Sequence, residues 1–194
     1  AVKRELRIRR IYEIEMLEHK SKNTLFRVLC EGGTYIRNLC EDIGSALGSG
    51  GVMEQLIRTK SGPFNIENSV TMVEAHDIYK QWKDTGDSSN LLSILKPLED
   101  MLIDIPLIEA KDSAVDALCH GADLAIPGVA SVSKDMKRGQ LISIRTTRGE
   151  AIALARATVN ADEIKDKPKA KGKVAKLERV IMERGTYPRE WKTK

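Results

Sequence analysis

The chain has 194 residues, 41% hydrophobic and 31% charged, with 32 Lys and Arg against 28 Asp and Glu. The formal charge of +4 and the apolar share suit one large domain or two small ones, not a disordered chain. No apolar run approaches the roughly 18 residues a membrane helix needs, which excludes an integral membrane protein. No secretion signal opens the sequence, and a cytoplasmic location is the expectation. Cys30, Cys40 and Cys119 form no Cys-x-x-Cys pair, and His19, His76 and His120 are scattered. A disulfide scaffold, a zinc knuckle and a histidine-rich metal centre are therefore not expected, and no cofactor is implied.

In chain order, residues 4–19 alternate in places and predict a strand interrupted near Arg9-Arg10. Asn23 supplies a turn residue, and residues 24–31 predict a second strand ended by Gly32-Gly33. From Tyr35 the apolar period changes: Ile36, Leu39, Cys40, Ile43 and Leu47 fall on one helical face. Gly48 through Gly51 ends that helix in a mobile turn. Leu56 to Ser61 predicts a further strand, closed by Ser61-Gly62-Pro63-Phe64. Thr71 and Glu74 form a capping-box pattern, predicting a helix to about Trp82, a short loop over 84–90 and a short helix within 91–105.

A second unit begins near Leu107. Ser113 and Asp116 suggest another capping box, opening a helix that Gly121 ends. Leu124–Ile126, a turn at Pro127-Gly128 and another at Lys137-Arg138-Gly139 follow. Leu141–Thr146 and 151–158 predict a hairpin, and Val174–Met182 a last strand. Short strands with glycine-punctuated corners predict a small β-barrel of under about a hundred residues.

The basic residues are unevenly spread. Residues 1–100 hold 14 basic and 15 acidic side chains, and residues 101–194 hold 18 and 13. Lys3, Arg4, Arg7, Arg9 and Arg10 crowd the start, and Lys165 through Lys176 crowd a late loop. Clumping of this kind suits polyanion binding, because each neutralised phosphate releases counterions; it equally suits a solubilising surface.

The most suggestive constellation is Gly32-Gly33-Thr34-Tyr35-Ile36-Arg37. Glycines admit close approach, Tyr35 offers a face for stacking a base, and Arg37 a planar fork for a carboxylate or phosphate. The same pattern suits a core aromatic at a helix start followed by a surface arginine. Glu41-Asp42 point about a hundred degrees apart on a helix and cannot converge on one proton, while His120 has no accompanying nucleophile motif. Residue types alone read as a basic, two-part protein with RNA among its possible partners.

Two longer stretches add a resemblance. Cys30-Glu-Gly-Gly-Thr-Tyr-Ile-Arg-Asn-Leu-Cys-Glu-Asp-Ile-Gly44, followed by Met53-Glu-Gln-Leu-Ile-Arg-Thr-Lys-Ser-Gly-Pro-Phe64, closely resembles pseudouridine synthases of the TruB/dyskerin type. The opening 13 residues resemble the archaeal, guide-RNA-dependent branch, while Cys119-His-Gly-Ala-Asp-Leu-Ala-Ile-Pro-Gly128 and Arg184–Trp191 resemble its PUA domain, an RNA-binding β-barrel. The implied class is α+β: part of a mixed α/β catalytic domain over 1–100, then a PUA-type pseudo-β-barrel over 101–194. The implied function is cofactor-free isomerisation of uridine to pseudouridine in rRNA or tRNA, as the catalytic subunit of an H/ACA ribonucleoprotein.

Carried over by that resemblance, Tyr35 packs on the uracil, Arg37 pairs with the nucleophilic aspartate and Leu56 closes the pocket wall. Arg58 and Lys60 face RNA phosphates; His120, Gly121, Ala122, Pro127 and Gly128, with Tyr187 and Arg189, are the expected guide-RNA contacts. Asn38, Ile57 and Lys60 depart from the family's usual residues. No Asp in residues 1–64 stands in the family's aspartate motif, which the resemblance places upstream of Ala1. The expectation is a chain inactive by itself, whose apolar sheet face needs a cover: the complementary half, another copy of the chain or a partner protein. Implied partners are guide RNA, substrate RNA, a zinc-ribbon or linker protein, a Gly/Arg-rich protein and a kink-turn binder. Two rival readings are a non-catalytic RNA-binding PUA module and a guide-independent tRNA synthase.

Overall fold

Alternating apolar residues after Arg10 build a ten-residue strand, β1 (Ile11–Lys20), which pairs antiparallel with β2 (Asn23–Cys30). The structure, a computed structural model, describes residues 7–166 and 172–189. The chain divides into two units, Ala1–Ile57 and Arg58–Lys194. Arg9-Arg10 mark the edge of β1, not a break within it. Asn23 pairs with Lys20 and opens β2, so the turn falls on Ser21-Lys22, with Ser21 left-handed at φ 53°. Ile14 faces Val28 and Met16 faces Phe26 across the ladder, gathering four apolar side chains on one face. That face is open: Ile14 is 55% and Met16 69% exposed.

The next element, α1 (Ile36–Ala46), half-buries Ile36, Leu39, Cys40 and Ile43, as its periodicity predicts, whereas Leu47 is its exposed C-cap. The Gly48–Gly51 segment, expected as a mobile turn, instead folds back on the helix. Ser49 and Gly50 amides each donate to the Gly44 carbonyl at 3.0 Å. A Cβ on Gly44 would lie 2.1 Å from the Gly50 carbonyl carbon, and one on Gly51 2.3 Å from the Cys40 oxygen. Only glycine at both positions permits this backbone-on-backbone contact.

In the second unit the strand expected over Leu56–Ser61 shrinks to β3 (Lys60–Ser61), paired with β4 (Phe64–Asn65) around Gly62-Pro63. Residues 56–59 find no ladder partner among the described residues, and apolar character alone does not hold a strand. The Thr71 capping box forms as predicted: the Thr71 amide donates to Glu74 Oε2 at 2.8 Å and the Glu74 amide to Thr71 Oγ1 at 3.2 Å. It opens α2 (Met72–Thr85), which runs three residues past Trp82 to a left-handed Gly86. A short α3 (Ser89–Ile94) follows, opened by Asp87 Oδ1 accepting from the Ser89 amide at 2.9 Å, so the loop expected over 84–90 is shorter than its polarity suggests.

The remaining elements are β5 (Leu107–Ala110), α4 (Asp112–Cys119), β6 (Leu124–Ala125), β7 (Val129–Val132), β8 (Leu141–Thr146), β9 (Ala151–Ala157), α5 (Ala161–Asp166) and β10 (Lys173–Val180). They form one sheet in the order β6-β10-β9-β8-β5-β7, with β5 and β8 its parallel pair. The edge strands β6 and β7 are joined by the single 3-10 turn Ile126–Gly128, so the sheet curls until its two edges nearly meet. Sequence periodicity missed β5, β7 and α5. The capping box expected at Ser113 does not form: Lys111 is the N-cap, without a side-chain cap bond, and Asp116 is buried beside His120. The core inside the curl is continuous, with Ile108, Val115, Leu118, Ile142, Ile144, Ile152 and Val174 almost inaccessible to solvent. Each contributes on the order of 1.5–3 kcal/mol by burial. Glu99 Oε1 accepts from the Ala151 amide at 2.7 Å, tying the 3-10 turn Leu98–Leu102 to the sheet.

Candidate nucleic-acid interface

In the first unit, the turn before α1 is held by Glu31. Its carboxylate accepts from Arg9 Nη1 at 2.9 Å and from the Arg10 amide at 3.1 Å. The Arg9 hydrogen bond, then the Arg10 amide, hold the Glu31 carboxyl below its ordinary range. Thr34 Oγ1 donates to the Glu31 carbonyl at 2.7 Å, and Gly33 takes φ 79°, a left-handed geometry that a side chain would strain. This turn delivers Tyr35 as the N-cap of α1, 73% exposed, and Arg37 into its first turn. Tyr35 is therefore a solvent-facing ring and not a core aromatic. Arg37 makes no hydrogen bond or ion pair with any described residue. Leu56 lies in the same unit, 54% exposed, in an extended stretch.

Arg58 and Lys60 are exposed in the second unit, Lys60 within β3 opposite Asn65. The sheet of that unit brings several of the other expected residues together. His120 caps the end of α4, and its Nδ1 donates to the Asp116 carbonyl at 2.8 Å, with the Asp116 carboxylate 3.5 Å away. Gly121 reverses the chain, and the Ala122 amide donates to the Ala117 carbonyl at 3.0 Å. Next to this turn lies an apolar cleft of about 180 Å³, lined by Ala114, Ala117, Leu118, Ala122, Leu124 and Gly128. A Cβ on Gly128 would sit 2.9 Å from Ala114 Cβ and 3.1 Å from Leu124 Cδ1, so glycine lets α4 and β6 close up here. Pro127 offers its carbonyl to Lys111 Nζ at 2.9 Å.

Lys111, which sequence reasoning missed, bridges this cleft to the end of the sheet: its amide also donates to the Gly128 carbonyl at 2.8 Å. The signal for the cleft was present as Ala114 and Ala117, small residues three apart on α4. Asp123 closes the cleft rim from the other side. It accepts from Lys173 Nζ at 2.9 Å and the Leu177 amide at 3.0 Å, and these bonds, Lys173 first, lower its carboxyl.

Tyr187 is placed differently from a base-stacking ring. It is 8% exposed, and its hydroxyl donates to Glu150 Oε2, which also accepts from Thr146 Oγ1 at 2.9 Å. These two donors, Tyr187 first, hold Glu150 below the ordinary range, while the neighbouring carboxylate pushes the Tyr187 phenol up. Arg189, two residues on, is exposed. The basic residues at 3 and 4 and at 167–171, and Glu190 and Trp191 of the last motif, lie outside the described residues. Among the described residues no helix is long and apolar enough to cross a membrane.

The first unit is thus a hairpin and helix presenting Tyr35 and Arg37 to solvent, and the second carries a curled β sheet with a small-residue cleft. A family model described as the tRNA pseudouridylate synthase B C-terminal domain matches residues 37–103, and the PUA domain model matches residues 106–181. The chain is 48% identical over 194 residues to a protein of Methanocaldococcus jannaschii named probable tRNA pseudouridine synthase B, covering all of this chain and 57% of the relative. A like-named protein of Archaeoglobus fulgidus is 46% identical over 193 residues, with 59% of its length covered. Among solved structures, a chain of an H/ACA ribonucleoprotein bound to a substrate RNA containing 2′-deoxyuridine matches at TM-score 0.89 and 42% identity, covering 96% of this chain and 58% of that one. A chain of a Cbf5-Nop10-Gar1 complex matches at TM-score 0.88 and 43% identity, covering 97% and 57%. The chain is thus similar to pseudouridine synthases of the TruB/dyskerin type, and it spans a little under three fifths of the length of these relatives.

Proposed function

We propose that this chain is the uracil-facing and RNA-holding part of an H/ACA guide-RNA-directed pseudouridine synthase acting on rRNA or tRNA in the cytoplasm. The observation that supports this most is the match to the H/ACA ribonucleoprotein chain over 96% of the residues at TM-score 0.89. In this reading residues 1–100 are the C-terminal part of the catalytic domain and residues 101–194 the PUA domain. The reaction breaks the bond from C1′ to N1 of uridine and forms one from C1′ to C5. The C5 proton leaves and N1 regains one, so the composition of the nucleotide is unchanged. No cofactor is required.

Tyr35 packs its exposed ring on the uracil while the base turns. Arg37 pairs with an aspartate supplied by a segment outside these 194 residues, and the guanidinium keeps that carboxylate ionised and oriented. Leu56 supplies apolar wall, and Arg58 and Lys60 take backbone phosphates. The cleft by Ala122 and Gly128, with His120, Gly121 and Pro127 at its margin, receives the guide-RNA end. Tyr187 anchors the segment that carries Arg189. The open Ile14–Met16 face of the first hairpin takes the remaining part of the catalytic domain. Protein partners of the kind named for the solved complex, Nop10 and Gar1, and a kink-turn binder complete the particle.

Fluorescence anisotropy with a guide hairpin ending in ACA, and with that triplet scrambled, tests the reading at two salt concentrations. A preference for ACA that survives higher salt is the expected result; equal binding that collapses with salt would sink it. Uridine isomerisation is expected only after the aspartate-bearing segment is added, and activity of the 194-residue chain alone would contradict that part. A second reading, a guide-independent tRNA enzyme, draws on the name of the M. jannaschii relative. It predicts tRNA binding with no preference for an ACA end.

A further inference from the structure

One end of the curled sheet carries an arginine, Arg148, that neither the cleft nor the Tyr35–Arg37 turn uses. Ala110 pairs in register with Thr146 and with Val129, so Lys111, the start of α4, and the β8–β9 turn over residues 147–150 share that end. The Ile181 and Met182 amides both donate to the Ile152 carbonyl, at 2.9 and 3.0 Å, which brings the segment after β10 to the same place. Lys111 and Arg148 therefore reach that end from separate elements, where the carboxylates of Glu99, on the Ala151 amide, and Glu150, on the Tyr187 hydroxyl, also lie.

Arg148 is not left to wander. Its amide donates to Thr146 Oγ1 at 3.2 Å, and its guanidinium carbon lies 5.8 Å from the centre of the Tyr187 ring. That ring is buried and its hydroxyl is fixed by Glu150, so the platform beneath the cation is rigid. The guanidinium itself remains exposed. Ordering a long cationic side chain in water costs rotamer entropy, and an arginine held on an aromatic platform enters a complex with part of that cost already met. Lys111 touches both this end and the cleft through Pro127 and Gly128, so the two surfaces are continuous.

We propose that the β8–β9 turn is a second RNA contact, in which Arg148 binds the sugar-phosphate backbone of the same RNA whose end enters the cleft, and Tyr187 and Glu150 are its positioning residues. This rests on the RNA-binding reading given above. An exposed arginine whose guanidinium is seated on an aromatic ring matches a phosphate's geometry and charge. A contact to the sugar-phosphate backbone adds affinity without adding sequence preference.

The test uses the whole chain and a fluorescein-labelled RNA hairpin with an ACA tail, titrated across a salt series. Removing one phosphate contact lowers the slope of log K against log salt by about 0.7–0.9, which at 0.1 M salt is roughly a five- to eightfold loss of affinity. Arg148→Ala is expected to show both, equally with the ACA and the scrambled tail. Arg148→Lys is expected to keep the wild-type slope, because the charge is retained. Tyr187→Phe keeps the ring but releases Glu150; it is expected to weaken binding by less than Arg148→Ala with the slope unchanged. Lys137→Ala, in the turn before β8 at the other end of the sheet, is the control and is expected to change neither quantity. Wild-type affinity and slope in Arg148→Ala overturn the proposal while leaving RNA binding by the cleft intact, as does an equal loss in Lys137→Ala. A wild-type chain that binds neither RNA overturns both this proposal and the reading beneath it.

Discussion

The hairpin-and-helix unit and the curled sheet differ in what holds them. In the first unit Gly44 is the one fully buried position among the described residues, and Ile14, Met16, Leu25 and Leu29 are each at least half exposed. The sheet runs a continuous inaccessible core from Ile108 to Val174, with Tyr187 closing it. A two-stranded hairpin with one helix has too little to bury against, whereas six strands wrapped onto each other shield both faces of β9. The candidate chemistry follows the same division. Tyr35 and Arg37 sit on the unit that is open, and the residues expected to hold RNA sit on the unit that is closed and rigid.

The sharpest break of this contrast is a paired truncation of apolar side chains. Ile144→Ala, fully buried in β8, is expected to cost about 2–5 kcal/mol in urea unfolding. Ile14→Ala, on the open face, is expected to cost about 0.5 kcal/mol or less. Equal costs would mean that the first hairpin has a cover of its own in the isolated chain. Next in size is Gly51→Ala, whose Cβ would collide with the Cys40 carbonyl. An overpacking cost of about 1–3 kcal/mol is expected, read as lost amide-exchange protection of Ser49 and Gly50. An unchanged exchange rate would show that the fold-back does not hold that loop.

Thr71→Ala removes the hydroxyl half of a capping box on α2, leaving the Thr71 amide on Glu74, and is expected to cost about 1 kcal/mol, with Thr71→Ser restoring most of it. The smallest effect concerns pH. Asp123 has a folded-state carboxyl below its ordinary value, so its contribution is present above that value and is lost as pH falls through the lowered one. Asp123→Asn is therefore expected to flatten the acid side of the stability profile as pH falls through and below the ordinary aspartate range, measured by urea midpoints. A steeper acid loss in the variant would contradict the Lys173 pairing.

Local signals were legible where the chain needs only itself. The Thr71 box and the apolar face from Ile36 to Ile43 follow from rules acting within four residues, as does the hairpin of β8 and β9. The stretch over Leu56–Thr59 looked like a strand because its composition is right, yet a strand exists only through a partner, and the described residues provide none. Ser113 and Asp116 carry a capping pattern, but burial beside His120 draws Asp116 away from that task. The Gly48–Gly51 segment has the composition of a loose turn, and it packs tightly because Gly44 stands opposite on the helix.

By itself the sequence determined the starts of α1 and α2, the apolar stripe of α1, the basic excess of the second half and, through two long motifs, the resemblance to pseudouridine synthases. These depend on neighbours along the chain or on residue identity, and neither changes with folding. The tertiary structure alone decided that Tyr35 faces solvent while Tyr187 does not, and that Lys111, Arg148 and Tyr187 share one end of a sheet. The placing of Tyr187 and Arg148 rests on contacts between residues 36 to 39 positions apart in the chain, which no periodicity within a segment encodes.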